Sequence, residues 1–232
     1  MPEQRSGALA DATIVLDLDG TLVDSAPDLH RALNATLDLE GLAHLSLAKT
    51  RRFIGGGARR LIERAAGDSG VSFQTARLDA LTDAFLEFYR ADIASLSKPF
   101  PGATEALREL ANQGAKLAVC TNKRTDLSLQ LLEAVGLVDR FSAIVGSDAV
   151  AQRKPHPEHL QATIDRAGGA ARRAIMVGDT AADVGAARGA GVRSIVVSFG
   201  YGEDAPASLG GDALIDSFEE LAPTCAALLS AA

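Results

Sequence analysis

Short apolar runs that alternate with helix-period stretches constrain this chain more than any other feature. Thr13–Leu16, Lys116–Cys120, Ala143–Val145, Ala174–Val177 and Ser194–Val197 are brief and aliphatic or β-branched. Helical periodicity separates or follows them, over Ala103–Gln113, Thr125–Val135, Pro157–Ala167, Ala181–Ala190 and Phe218–Leu229. Strands alternating with helices imply parallel pairing, because a parallel neighbour is reached only through a crossover. The pattern predicts an α/β fold: a parallel sheet covered on both faces, with ligands beyond the carboxyl ends of its strands. One segment breaks the alternation. From Pro27 to Leu96 the apolar spacing is almost wholly helical, in Leu29–Leu39, Leu47–Ile54, Ala58–Ala66 and Ala76–Ile93. This predicts an all-helical cap over residues 26–97, inserted into a core made of residues 11–25 and 98–232. Hinges are expected near Asp24–Pro27 and Ser97–Pro101, where prolines remove a donor and stiffen the chain.

Composition narrows the partners. The 232 residues are 47% hydrophobic but only 4% aromatic, so small aliphatic residues must do most of the packing. A net charge of -7 argues against nucleic acid and anionic membranes as partners. It leaves room for a phosphorylated small molecule in a locally cationic pocket. The two cysteines make no disulfide framework, and Met1–Ala10 lacks the apolar core of a signal peptide, so a cytoplasmic location is expected. No run approaches the roughly 20 apolar residues of a membrane span. The first ten or so residues read as a loosely ordered lead-in. The oligomeric state, monomer or homodimer, stays open.

Asp17-Leu18-Asp19-Gly20-Thr21 stands directly behind the first apolar run. In a continuing strand the two carboxylates would share one face, where they repel. A cation, or a reacting group that uses them, offsets that cost. The spacing suits Asp17 as a nucleophile toward phosphorus and Asp19 as the acid/base that protonates the leaving oxygen and then activates water. A capped strand-end turn would look similar. Thr121-Asn122 follows the second run, where a hydroxyl and a backbone N–H can grip a phosphoryl oxygen; the same pair would also cap a helix. Lys123 and Arg124 come next; they could also face substrate, but cations after a strand read first as solvated. Lys154 lies between Arg153 and Pro155, on a loop stiffened by Pro155 and Pro157, where its ammonium could neutralise a phosphoryl group. His156 and His159 read as a solvated helix start, not a metal pair. Asp179 follows the fourth run. With Asp17 and the Asp19 backbone carbonyl it offers the few oxygen ligands that Mg2+ needs. Asp183, one turn on, could anchor Lys154.

These four motifs, in this order, resemble the haloacid dehalogenase superfamily across nearly the whole chain. The resemblance implies a Rossmann-like core with a helical cap inserted after the first motif. It implies Asp17 as nucleophile, Asp19 as acid/base, Thr121 and Lys154 as phosphate binders, and Asp179 as metal ligand, with Asp183 as the second acid of the last motif. An aspartate at position 19 favours phosphate-ester hydrolysis over the dehalogenase and phosphonate branches. Leu22–Leu29, Arg52–Ala58 and Phe199–Gly202 are similar to phosphoglycolate phosphatases, which implies 2-phosphoglycolate as substrate. A sugar or amino-sugar phosphate such as N-acetylmuramate 6-phosphate, or a phosphosugar mutase reaction, is the alternative. In the cap, the Gly55–Gly57 run ahead of a helix could offer backbone donors to an anion. Gly56 is the candidate contact there, with Arg52 and Arg59 placed to pair with a substrate carboxylate; a plain helix–helix turn would have the same sequence.

Overall fold

The computed structural model describes residues 9–230, so the expected lead-in lies largely outside the described residues. In chain order the elements are β1 (Thr13–Leu16), β2 (Val23–Asp24), α1 (Ala26–Asp38), α2 (Leu47–Phe53), α3 (Ala58–Asp68), α4 (Thr75–Ala91), β3 (Lys98–Pro99) and α5 (Ala103–Asn112). The remainder are β4 (Lys116–Cys120), α6 (Thr125–Ala134), β5 (Ala143–Val145), α7 (Pro157–Arg166), β6 (Ala174–Gly178), α8 (Ala181–Ala190), β7 (Arg193–Val197), β8 (Ala213–Ile215) and α9 (Leu221–Ser230).

Six strands form one parallel sheet in the order β5-β4-β1-β6-β7-β8. The chain builds outward from β1 on one side, then crosses back to start β6 on the other. That doubly wound order opens a crevice beyond the carboxyl ends of β1 and β6. The sequence predicts five strands; β8 is the sixth. It escapes the pattern because it has three residues, follows Gly210-Gly211 and leaves Leu214 exposed at the sheet edge.

Alternate residues of the central strands face opposite layers. Ile14 and Leu16 of β1, Leu117 and Val119 of β4, and Ile175 and Val177 of β6 join the main core, which Leu107, Leu110, Leu221 and Cys225 also fill. Val15, Ala118, Cys120 and Met176 face the other way, against Leu160 and Ile164 of α7 and Ala186 and Ala187 of α8. Small side chains there let helices lie close on the sheet, as the scarcity of aromatics requires. Both cysteines are free and buried.

Helices α1–α4 occupy the insertion. α1 packs on α2 and α4, and α3 packs on α2 and α4. The two strands of chain that enter and leave this region, expected as hinges, lie side by side. β2 and β3 pair antiparallel, Val23 with Pro99 and Asp24 with Lys98. Buried Asp28 accepts hydrogen bonds from Leu96 N (3.0 Å), Ser97 N (2.8 Å) and Ser97 Oγ (2.6 Å). The last helical stretch opens as a short 3-10 turn, Phe218–Glu220, before α9. No helix among the described residues is long and apolar enough to cross a membrane.

Candidate active site

Asp17 follows the last residue of β1, and its N–H still donates to Val177 O of β6 at 2.9 Å. Its Oδ1 accepts from Leu18 N (2.7 Å) and faces Lys154 Nζ at 3.0 Å. Asp179 follows β6. Thr21 Oγ1 donates to its Oδ1 and Tyr201 N to its Oδ2, both at 2.8 Å. The approach around Asp179 is close. A Cβ on Gly200 would lie 2.1 Å from Asp179 Cβ, and one on Gly20, at φ +85°, would lie 2.5 Å from Asp179 Oδ2. Lys154 Nζ also donates to Asp183 Oδ1 (2.6 Å) and to Cys120 O (2.7 Å). Asp183 Oδ2 accepts from Thr180 N (3.0 Å) and Thr180 Oγ1 (2.7 Å), which closes a capping box on α8.

The end of β1 and the β6–α8 junction thus bring three buried carboxylates to one point. Oxygens of Asp17, Asp179 and Asp183 lie within 4.8 Å of one another. Burial pushes Asp179 up to about 8, with Asp183 and Asp17 adding to it. Burial also lifts Asp17 to about 6, against the pull of Lys154. Burial alone would discharge Lys154, but Asp17 and Asp183 outweigh it and hold the ammonium well above the ordinary lysine range. Three acids against one ammonium leave an excess of negative charge. Hard oxygen donors in that state fit a hard divalent cation such as Mg2+. Asp183 already accepts three hydrogen bonds, so Asp17 and Asp179 have the freer oxygens.

Asp19 does not share this cluster. β1 ends at Leu16, the chain turns, and Leu22 N and Val23 N both fold back onto Leu18 O. The carboxylate instead meets Lys123 Nζ at 2.8 and 2.9 Å and Ser25 Oγ at 2.5 Å. The two acids of the motif therefore offset much of their mutual repulsion by taking one ammonium each. Lys123 is a correction to the sequence reading, which left it solvated. Its side chain is 5% exposed, and the ammonium sits 4.6 Å above the Tyr89 ring of α4. Arg124 does stay at the surface, paired with Asp126 (3.2 Å) and Asp148 (3.7 Å).

His159 is a second correction. It is fully buried, not solvated. Its Nδ1 accepts from Lys154 N (3.3 Å), so Nε2 donates to Val145 O (3.1 Å). Burial, with Lys154 adding, drops its pKa to about 4 and keeps the ring neutral. The histidine steadies the loop that carries Lys154. His156 caps α7 through Glu158 N.

Thr121 is buried at the end of β4, where its Oγ1 accepts from Lys123 N at 3.2 Å. The Asn122 side chain ties the glycine turn to the core: Nδ2 donates to Gly55 O (3.0 Å) and Lys154 O (3.2 Å). Asp17, Asp19, Thr121, Asn122 and Lys123 line one chamber of about 310 Å³. Ile54, Leu61, Phe85 and Tyr89 close it from the helical side. Gly56 opens instead on a neighbouring cavity with Arg52 and Lys154, and Arg59 borders both. The Arg59 guanidinium is turned to Asp79 and to Glu63 (3.5 Å), partners on its own side of the chamber. Tyr201 was legible only as part of a resembling stretch. Its N–H holds Asp179, and its hydroxyl donates to Asp24 while accepting from Ala26 N (3.1 Å).

Comparison with known proteins agrees with this geometry. The model of the haloacid dehalogenase-like hydrolases matches residues 14–197. The phosphoglycolate phosphatase of Caulobacter vibrioides is 45% identical over 222 residues, 96% of this chain and 94% of that protein. The phosphoglycolate phosphatase of Mesorhizobium japonicum is 44% identical over 90% of this chain and 92% of its own. Among solved structures, a predicted phosphoglycolate phosphatase from Haemophilus somnus superposes with a TM-score of 0.86 at 29% identity, covering 93% of this chain and 98% of that one. CbbY from Rhodobacter sphaeroides, in complex with phosphate, gives 0.77 at 27% identity over 91% and 96%. Sheet order, motif placement and relatives converge: the chain belongs to the haloacid dehalogenase-like hydrolases and is a phosphatase of that family.

Proposed function

We propose that the chain hydrolyses 2-phosphoglycolate to glycolate and phosphate through an aspartyl-phosphate on Asp17, with Mg2+ as cofactor. The observation that carries the chemistry is the meeting of Asp17 and Asp179 within 4.8 Å beside the Lys154 ammonium. The substrate follows from what the most similar relatives act on. Residues 26–97 then serve as a cap over a core of 11–25 and 98–232.

An Asp17 oxygen attacks phosphorus as the ester P–O bond breaks. Asp19 gives its proton to the departing glycolate oxygen. Asp19 then takes a proton from water, whose oxygen attacks the same phosphorus and releases phosphate and free Asp17. Anionic nucleophile and anionic phosphoryl group repel, so charge neutralisation and positioning supply most of the rate. Lys154 and the Thr121 loop supply part of that neutralisation. Mg2+ held by Asp17, Asp179 and the Asp19 backbone carbonyl would supply the positive charge at the phosphoryl oxygens. Asp183 keeps Lys154 in place.

Asp17→Asn tests this reading. Turnover of 2-phosphoglycolate should vanish while the circular dichroism spectrum stays that of the parent. Excess chelator should silence the parent enzyme reversibly. Near-parental activity in Asp17→Asn, or full activity in chelator, would overturn the nucleophile or the metal respectively.

A further inference from the structure

We infer that Arg153 is the specificity residue that reads the substrate carboxylate; this rests on 2-phosphoglycolate being the substrate. In that molecule the carboxyl carbon is only three bonds from phosphorus, so its reader must stand next to the phosphoryl site. Arg153 is the peptide neighbour of Lys154, whose ammonium lies 3.0 Å from Asp17. Their Cα atoms are about 3.8 Å apart across the trans peptide. Arg153 lines the same chamber as Asp17 and Asp19.

The charges around that chamber leave few choices. Four cationic side chains border it: Arg59, Lys123, Arg124 and Arg153. Arg59 is held by Asp79 and Glu63, Lys123 by Asp19, and Arg124 by Asp126 and Asp148. Arg153 forms no ion pair and no side-chain hydrogen bond among the described residues. α4 contributes Thr82, Asp83, Phe85, Leu86 and Tyr89 to the wall, and none is cationic.

Position adds a second argument. A Cβ on Gly57 would lie 3.1 Å from Arg153 Nη1, so the guanidinium packs directly on the residue that precedes α3. Gly57, at φ +82°, has no side chain to cap that helix, and the first turn of α3 carries no acid. An unpaired guanidinium facing the positive end of an uncapped helix lacks an anion. A carboxylate there would accept two parallel N–H bonds from the arginine fork while meeting the helix dipole. Of the two sequence candidates for this contact, Arg59 is paired with Asp79 and Glu63, and Arg52 lines the neighbouring cavity.

The test compares kcat and KM for 2-phosphoglycolate and for ethyl phosphate, a short ester without the carboxylate, in the full chain with Mg2+. Arg153→Gln should raise KM for 2-phosphoglycolate and cut the ratio of the two kcat/KM values about 10- to 100-fold, as loss of a charge-assisted hydrogen-bond pair would. Arg153→Lys should recover only part, because the charge returns without the fork. If both esters lose equally, Arg153 merely braces the seam and the inference fails. If the parental preference survives Arg153→Gln, the inference fails while the substrate reading stands. If the parent itself shows no preference for the carboxylate ester, the substrate reading falls and takes the inference with it.

Discussion

Lys154→Met is the most demanding perturbation of the site. The lysine side chain is 1% exposed, and its partners Asp17 and Asp183 are 9% and 2% exposed. Methionine fills much of the stem's volume, so packing changes little and the lost charge dominates. Removing one partner of a buried ion pair costs about 3–5 kcal/mol, because the other charge is left uncompensated. For a chain of this length that corresponds to a fall in Tm of about 6–20 °C. The orphaned acids could escape by taking up protons. The loss is therefore read in chelator near pH 8, above the value of about 6 for Asp17, where protonation of that partner offers little relief. Adding Asp183→Asn removes one orphan while keeping an acceptor for the Thr180 groups that cap α8. The double variant should regain about 1–3 kcal/mol over Lys154→Met, the coupling expected between contacting residues. Denaturant unfolding followed by circular dichroism measures both. A Tm unchanged in Lys154→Met, or a further drop on adding Asp183→Asn, would refute the picture of one cation balancing the cluster.

The other two predictions concern Asp179. With folded-state values near 8 for Asp179 and 6 for Asp17, above the ordinary 3.8, the metal-free folded chain keeps protons that the unfolded chain releases. Its stability should therefore fall as pH rises from about 4 to about 8, and one fixed Mg2+ concentration should raise Tm more at pH 8 than at pH 6, the stabilisation being about 2.7 kcal/mol where that concentration is a hundredfold above Kd; thermal scans in chelator that stay flat across this range would refute it. Gly200→Ala would force a Cβ to 2.1 Å from Asp179 Cβ. It should cost about 1–3 kcal/mol and raise the Mg2+ concentration for half-maximal activity, and a parental Mg2+ titration would show that Asp179 tolerates displacement.

The sheet was legible in the sequence because its signal is local. β1, β4 and β6 are continuous apolar runs that end where chemistry-bearing residues begin, so Asp17, Thr121 and Asp179 could be placed at strand ends. What escaped depends on partners far along the chain. Nothing near Lys123 says whether it points inward, because its partner Asp19 is 104 residues away and the Tyr89 ring beneath it lies on α4. Arg59 escaped for the same reason: Asp79, which claims it, sits on the facing helix. His159 did carry a usable signal. With Leu160, Thr163 and Ile164 it forms the buried stripe of α7, at the spacing of an inward helix face. The lack of an acidic or cysteine partner nearby in sequence points to a solvated helix start instead.

One difficulty remains in an acidic chain that binds an acidic substrate. The formal charge of -7 is mostly surface charge, and salt screens it beyond about 8–10 Å. Only the groups facing the chamber then matter. Asp17, Asp179 and Asp183 against Lys154 leave two negative charges, which one divalent cation cancels. Ionised Asp19 and Lys123 cancel each other; once Asp19 carries the proton it gives to the leaving oxygen, Lys123 adds one positive charge. A phosphoryl group entering this site meets a near-neutral cluster. Two charges lining the chamber have no ion partner among the described residues: Asp83 of α4, and Arg153, placed where the substrate's second anionic group would fall. Reaction and selection are thus separable in electrostatic terms: the sheet ends are balanced without the substrate's carboxylate, and the arginine at the seam is balanced only with it.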